Sequence, residues 1–73
     1  MSETVDARGY LCPQPVMMLV KQMKARGEGQ FDILVDNETS RENVRRTAEG
    51  RSWTVIEDVE VEDYFKISVS KQA

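Results

Sequence analysis

Histidine is absent from this chain of 73 residues, and cysteine occurs once, as Cys12. Without histidine, the usual zinc ligand sets cannot be assembled, and a cysteine-protease arrangement has no base. A single cysteine can form neither an internal disulfide nor a Cys-x-x-Cys exchange pair. We therefore expect no bound metal and no cofactor, and a fold stabilised by packing alone or by packing plus a partner.

Long apolar runs are also missing. No segment is long enough to span a bilayer, and the first residues do not resemble a secretory signal peptide. Because the chain relies on no disulfide, a reducing, cytoplasmic location is the expected one. No membrane partner is expected.

A net basic charge is lacking as well. The chain has 13 acidic and 10 basic residues, and its formal charge of −3 disfavours direct binding to nucleic acid. Basic residues gather at 21–26 and 41–51, whereas acidic residues gather at 57–63. Solvated faces explain such clusters most simply, although a basic face could instead dock against an acidic partner.

The length and the hydrophobic pattern predict one domain over residues 1–73. The predicted order of strands and helices is β-α-β-α-β-β, which indicates an α/β two-layer sandwich of the α+β type. A mixed four-stranded sheet would carry both helices on one face, and its other face should be more polar or bind something. Strands are predicted near residues 4–8, 31–36, 52–59 and 64–70, and helices near residues 13–26 and 39–50.

Both helices are expected to be amphipathic. The second helix has a thin apolar stripe, so it should pack at an edge, and Thr39 or Ser40 is its predicted N-cap. Trp53 is expected in the core. In the first helix, spacing of i, i+3, i+4 and i+7 defines the predicted buried stripe, which consists of Val16, Leu19, Val20 and Met23.

The segment CPQP, residues 12–15, places the cysteine directly before the first predicted helix. Proline suits a first helical position, and a residue before proline avoids helical geometry, so Cys12 is the predicted N-cap. The helix dipole should lower the pKa of the Cys12 thiol, assisted by the Gln14 N–H and by Arg8 if the loop folds back. Alternatively, Cys12 is a small buried apolar residue beside a helix start.

Few reactions remain for a lone thiol without histidine or a second cysteine. The thiol can form a persulfide or a mixed disulfide and hand its load to another protein. This is the chemistry of a carrier, which needs an exposed sulfur and a docking surface rather than a deep substrate pocket.

The stretch DARGYLCPQPVMMLVKQMK, residues 6–24, resembles the D-x-x-G-x-x-C-P-x-P signature of TusA/SirA-like sulfur carriers, including YedF-type members. The resemblance implies that Cys12 carries sulfur as a persulfide. It implies a donor, either a cysteine desulfurase or another sulfurtransferase, and an acceptor protein, as in tRNA thiolation, cofactor synthesis or sulfur oxidation. YedF-type relatives are linked to selenium metabolism, so selenium is an alternative cargo. The other signature residues, expected to shape the loop and the helix start, are Asp6, Gly9, Pro13 and Pro15.

Leu11 stands where many members of this family have a basic residue, and Tyr10 precedes it. The two could form a docking patch, or one of them could pack the loop. Met17, Lys21 and Lys24 are further candidates for partner docking, although a core methionine and solvated lysines are the simpler interpretations. A regulatory protein-binding module is the alternative function. A monomer suits a carrier that must dock to two proteins in turn.

Overall fold

A computed structural model describes residues 3–11 and 13–72. The predicted order of strands and helices is confirmed. The strands are β1 (Glu3–Asp6), β2 (Gly29–Val35), β3 (Thr54–Val61) and β4 (Tyr64–Lys71), and the helices are α1 (Gln14–Arg26) and α2 (Glu38–Gly50). Neither helix is long and apolar enough to cross a membrane, as judged over the described residues.

The strands form one mixed sheet in the order β1-β2-β4-β3. β1 and β2 are parallel and are connected through α1, whereas β4 runs antiparallel to both β2 and β3. The β3–β4 turn consists of Glu62 and Asp63, and Glu62 has a φ of 55°. A register shift between Val55 and Glu57 places Ile56 at a bulge in the edge strand β3.

Both helices pack on the same face of the sheet. Directly paired residues share a face, and the register aligns Val5, Ile33 and Ile67 across three strands on the buried side. The ring of Trp53 meets Phe31 edge-on, with 5.3 Å between ring centroids, so its predicted core position is confirmed. The core consists of Ala7, Leu19, Met23, Phe31, Ile33, Val35, Val44, Ala48, Trp53, Phe65, Ile67 and Val69.

The opposite sheet face is polar at its centre, as predicted. The Ser68 hydroxyl donates a hydrogen bond to Asp32 Oδ1 at 2.6 Å. The Lys66 ammonium lies 3.6 Å from Glu57 Oε1 and 4.0 Å from Asp32 Oδ2. The polar residues at the centre of this face therefore pair with one another across the strands, and neither α1 nor α2 covers them.

Asn37 caps α2, so the prediction of Thr39 or Ser40 is wrong. Asn37 has an extended backbone, with φ −153° and ψ 159°, and its Oδ1 accepts the Ser40 N–H at 2.8 Å. Thr39 and Ser40 lie within the first helical turn. Because three residues with cap-forming side chains occur close together, composition alone could not choose among them.

The buried stripe of α1 is rotated relative to the prediction. Pro15, Leu19 and Met23 are buried, whereas Val16 and Val20 are only half-buried, so their assignment to the core was wrong. Leu19 and Met23 fit either of two adjacent apolar stripes, and periodicity cannot decide which one faces the sheet. The helix therefore keeps a second apolar stripe that the core does not use.

Candidate functional site

The start of α1 lies one residue later than predicted. Pro13 occupies the N-cap position with φ −99° and ψ 17°, and Gln14 rather than Pro13 is the first helical residue. The Pro13 carbonyl accepts the Met17 N–H at 3.0 Å, and the Gln14 N–H donates to the Leu11 carbonyl at 2.9 Å. This Leu11–Gln14 turn takes up the Gln14 N–H and keeps Pro13 out of helical geometry. Pro15 becomes the second helical residue, still in the turn that needs no intrahelical donor.

Cys12 lies outside the described residues. Its predicted position as N-cap is taken by Pro13, and the Gln14 N–H that was expected to assist the thiolate is already bonded. Arg8 is also engaged elsewhere, in an ion pair with Asp6. Of the predicted causes of a lowered Cys12 pKa, the helix dipole alone remains, and the lowered pKa stays a prediction.

The loop that leads to Cys12 is tied to the β2–α2 junction by Asp36. The Gly9 N–H donates to Asp36 Oδ2 at 2.7 Å, across 27 positions of sequence. Gly9 has a φ of 85°, a left-handed conformation that other residues adopt only at a cost. Just before it, the Ala7 N–H donates to the Leu34 carbonyl at 2.9 Å and extends the β1–β2 pairing. The loop therefore starts from a fixed position at the carboxyl ends of two parallel strands.

Asp6 and Arg8 stabilise the same loop from its other side. Asp6 accepts hydrogen bonds from the Arg8 backbone N–H at 3.1 Å and from Arg8 Nε and Nη2, both at 2.9 Å. Hydrogen bonds from the Arg8 side chain, and then from its backbone N–H, lower the pKa of Asp6 to about 2. The Arg8 guanidinium also lies 4.7 Å from the centroid of the Tyr64 ring. Asp6 thus holds the backbone and the side chain of Arg8, the residue before Gly9.

A polar depression collects these groups at one end of the molecule. Asp6, Arg8, Gly9, Asp36, Asp63 and Tyr64 line it. Within the described chain, no group of carboxylates is arranged to hold a metal ion. Asp36 lies at a strand end, where α/β proteins commonly build sites and where a residue can also cap the next helix, and nothing in the sequence pointed to Tyr64. The position of Asp36 at the end of a strand was the one sequence signal that it belongs to a site. Its contact with Gly9 could not be predicted, because that contact depends on the parallel pairing of β1 with β2.

The last two residues before Cys12 are exposed. Leu11 has 81% of its surface accessible and Tyr10 has 49%. An exposed leucine is unremarkable alone, but two adjacent apolar side chains next to the only cysteine form a patch that a partner could cover. Because Leu11 is so exposed, it is not the residue that packs the loop.

The predicted docking residues of α1 line a shallow groove on its outer side. Met17, Lys21 and Lys24 lie there together with Val16 and Val20, the stripe that the core does not use. Met17 is 57% exposed, whereas its neighbour Met18 packs against the core. The groove begins in the first turn of α1, close in sequence to Tyr10 and Leu11. Sequence reasoning missed Val16 and Val20 because it assigned both to the core.

Comparison with known proteins agrees with this fold. A family profile described as "Sulfurtransferase TusA" matches residues 3–71. A "Putative sulfur carrier protein" of Methanocaldococcus jannaschii is 32% identical over 68 residues, covering 92% of this chain and 91% of the relative. A protein of the same name from Archaeoglobus fulgidus is also 32% identical over 68 residues, covering 92% of this chain and 93% of the relative.

A solved structure shows the same architecture. The crystal structure of a SirA-like protein from Desulfitobacterium hafniense superposes with a TM-score of 0.86 at 34% identity, covering 93% of this chain and 95% of the other. The family profile and the two relatives define the class as that of the sulfur carriers, and the fold is SirA-like. More specifically, the chain belongs to the TusA sulfurtransferase family.

Proposed function

We propose that this protein carries sulfur as a persulfide on Cys12, accepting it from a donor protein and passing it to an acceptor protein. The observation that carries the proposal is the lone cysteine of a TusA-family chain, which follows the exposed Leu11 and precedes the first turn of α1. The resemblance suggests a cysteine desulfurase or another sulfurtransferase as donor. It suggests tRNA thiolation or a cofactor sulfur relay as the pathway.

Loading is a thiol exchange. The Cys12 thiolate attacks the outer sulfur of a donor persulfide, a new S–S bond forms on Cys12, and the donor leaves as a thiolate. Oxidation states balance between the two proteins, so no external oxidant or reductant is required. Unloading repeats the exchange on an acceptor thiol. α1 starts two residues after Cys12 in sequence. The positive potential at its N-terminal end favours the thiolate form of Cys12.

The docking surface in this proposal runs from the loop onto α1. Tyr10 and Leu11 supply exposed apolar area beside the thiol, and Met17 supplies an adaptable contact in the groove. Lys21 and Lys24 flank the groove and favour an acidic rim on the partner. Donor and acceptor would use the same surface in turn, which suits a carrier that acts as a monomer in a reducing, cytoplasmic compartment.

Mass spectrometry after desulfurase loading tests the proposal. The protein is incubated with a cysteine desulfurase and labelled cysteine, and the intact mass is measured without reductant. We expect one added sulfur atom in the native protein and none in Cys12→Ser. Circular dichroism of Cys12→Ser verifies that the variant retains the fold.

Two results would redirect the assignment. If no donor adds sulfur and partner binding is unchanged in Cys12→Ser, the protein is a regulatory binding module instead. If selenium displaces sulfur when cysteine and selenocysteine compete at equal concentration with a lyase that accepts both, the cargo is selenium. The mass difference between the two adducts distinguishes them in one measurement.

A further inference from the structure

Basic residues without an ion-pair partner gather on one side of this acidic protein. Of its 10 lysines and arginines, six form ion pairs with carboxylates, as Arg8 does with Asp6. Within residues 3–11 and 13–72, the remaining four form none, although acidic residues outnumber basic ones. These four are Lys21, Lys24, Arg51 and Lys71.

Three of the four converge on one depression of about 180 Å³. Lys24 comes from the last turns of α1, Arg51 from the C-terminus of α2 and Lys71 from the end of β4. Met23, Gly27 and Trp53 complete the lining, and no aspartate or glutamate contributes to it. Three separate elements therefore bring like charges together around a surface formed partly by the only tryptophan.

Helix dipoles account for part of this arrangement. Gly27 is the C-cap of α1 and Arg51 is the C-cap of α2, so two negative helix ends lie beside the depression and favour nearby cations. Each end is equivalent to about half a negative charge, so the two together offset about one of the three positive charges. Lys71 belongs to a strand and has no helix end of its own. About two positive charges remain without a counter-charge.

We propose that this depression, which we call the basic pocket, binds a phosphate group, either as free phosphate or as a small phosphate monoester. A phosphate monoester carries a charge of about −1.5 to −2 at pH 7, which matches the positive charge left in the basic pocket. The arginine offers two parallel N–H donors and the lysines offer point charges, the combination that protein phosphate sites use. The pocket size suits a small anion.

The basic pocket lies at the far end of α1 from the Cys12 loop. The helix has 13 residues, which at 1.5 Å per residue separates its two ends by about 20 Å. A phosphate bound there leaves the start of α1 uncovered. The basic pocket shares only Lys24 with the proposed docking surface, so variants at Arg51 and Lys71 test it without touching that surface and without a persulfide.

Titration of the native protein with inorganic phosphate tests the site, followed by Trp53 fluorescence and by amide NMR shifts. Sodium chloride keeps the ionic strength constant. We expect saturable shifts at millimolar phosphate or below, confined to Gly27, Arg51, Trp53 and their neighbours. Arg51→Gln and Lys71→Gln should each weaken binding about tenfold, because each removes one hydrogen bond to a charged group.

Arg46→Gln is the matched control, since it changes the net charge equally on an exposed part of α2 where Arg46 pairs with Glu42. It should leave binding unchanged.

A parallel titration with phenyl phosphate separates the two sources: tighter binding indicates a monoester, and equal binding indicates free phosphate. Shifts that do not saturate, or that weaken equally in Arg46→Gln and Arg51→Gln, would overturn the proposal. Loading of Cys12 in the desulfurase assay is expected to be unaffected by Arg51→Gln, so the two proposals fail separately.

Discussion

At the scale of single residues, the hydrogen bond between Gly9 and Asp36 connects the cysteine loop to the start of α2. The Gly9 N–H donates to the Asp36 carboxylate at 2.7 Å. Gly9 follows β1 and Asp36 follows β2, and these two strands are parallel neighbours. Hydrogen bonds to charged groups contribute roughly 1.5–3 kcal/mol, more than neutral ones. The conformation of the loop should therefore depend on a residue that lies 24 positions after Cys12 in sequence.

Replacing Asp36 by alanine removes this acceptor, and we expect the Gly9 amide to exchange its hydrogen about tenfold faster, because one charge-assisted bond no longer protects it. Asp36→Asn keeps an oxygen acceptor and should show a smaller change. Hydrogen exchange followed by NMR measures both. Asp63→Ala is the matched control, because Asp63 lines the same depression without bonding Gly9. Equal exchange rates in Asp36→Ala and Asp63→Ala would show that the bond does not hold the loop.

Some of this residue-scale detail could be read from the sequence. The resemblance to the sulfur-carrier signature implied that Gly9 shapes the loop, and Gly9 has a φ of 85°, a conformation that glycine adopts readily. Asp36 could not be assigned, since its partner is set by which strands pair and in which direction. The Leu11–Gln14 turn was missed for a local reason. Rules for residues before proline favour a helix start at Pro13 but do not include a preceding turn that takes the Gln14 N–H.

At the scale of secondary-structure elements, the important property of α1 is that it has two apolar stripes. Leu19 is fully buried against the sheet, whereas its neighbour Val20 lines the outer groove. The sequence predicted the helix and most of its bounds, because periodicity and the two prolines define them. It could not say which stripe is buried, because rotation of a helix is set by packing against strands that are distant in sequence.

The two stripes should differ in their effect on stability. Leu19→Ala creates a cavity in the core and should lower the free energy of unfolding by about 2–5 kcal/mol. Val20→Ala removes two methyl groups from a half-buried side chain, and we expect a loss below about 1 kcal/mol. Urea unfolding followed by circular dichroism compares the pair. A loss in Val20→Ala as large as that in Leu19→Ala would mean that the outer stripe belongs to the core.

At the scale of the whole molecule, charge is separated along a body of 33 × 21 × 18 Å. Acidic residues crowd into the region 57–63 around the β3–β4 turn, and basic residues without ion pairs lie along α1 and at its C-terminal end. With a net charge of −3, a distant acidic partner is repelled. Within about a Debye length, roughly 10 Å at 0.1 M salt, the local lysines dominate. The orientation of docking should therefore depend on α1 rather than on net charge.

Association with the donor that we propose, a cysteine desulfurase, should reveal this orientation. We expect Lys21→Gln to slow association several-fold at low salt and to have little effect at 0.5 M salt, because screening removes steering by a surface charge. Met17→Ser should instead speed dissociation at both salt concentrations, since it removes buried contact rather than charge. Stopped-flow measurement separates the two rates. Lys66→Gln makes the same change of net charge on the uncovered sheet face, where Lys66 contacts Glu57. If Lys66→Gln slowed association as much as Lys21→Gln, net charge would govern the encounter and the α1 groove would lose its assignment as the docking surface.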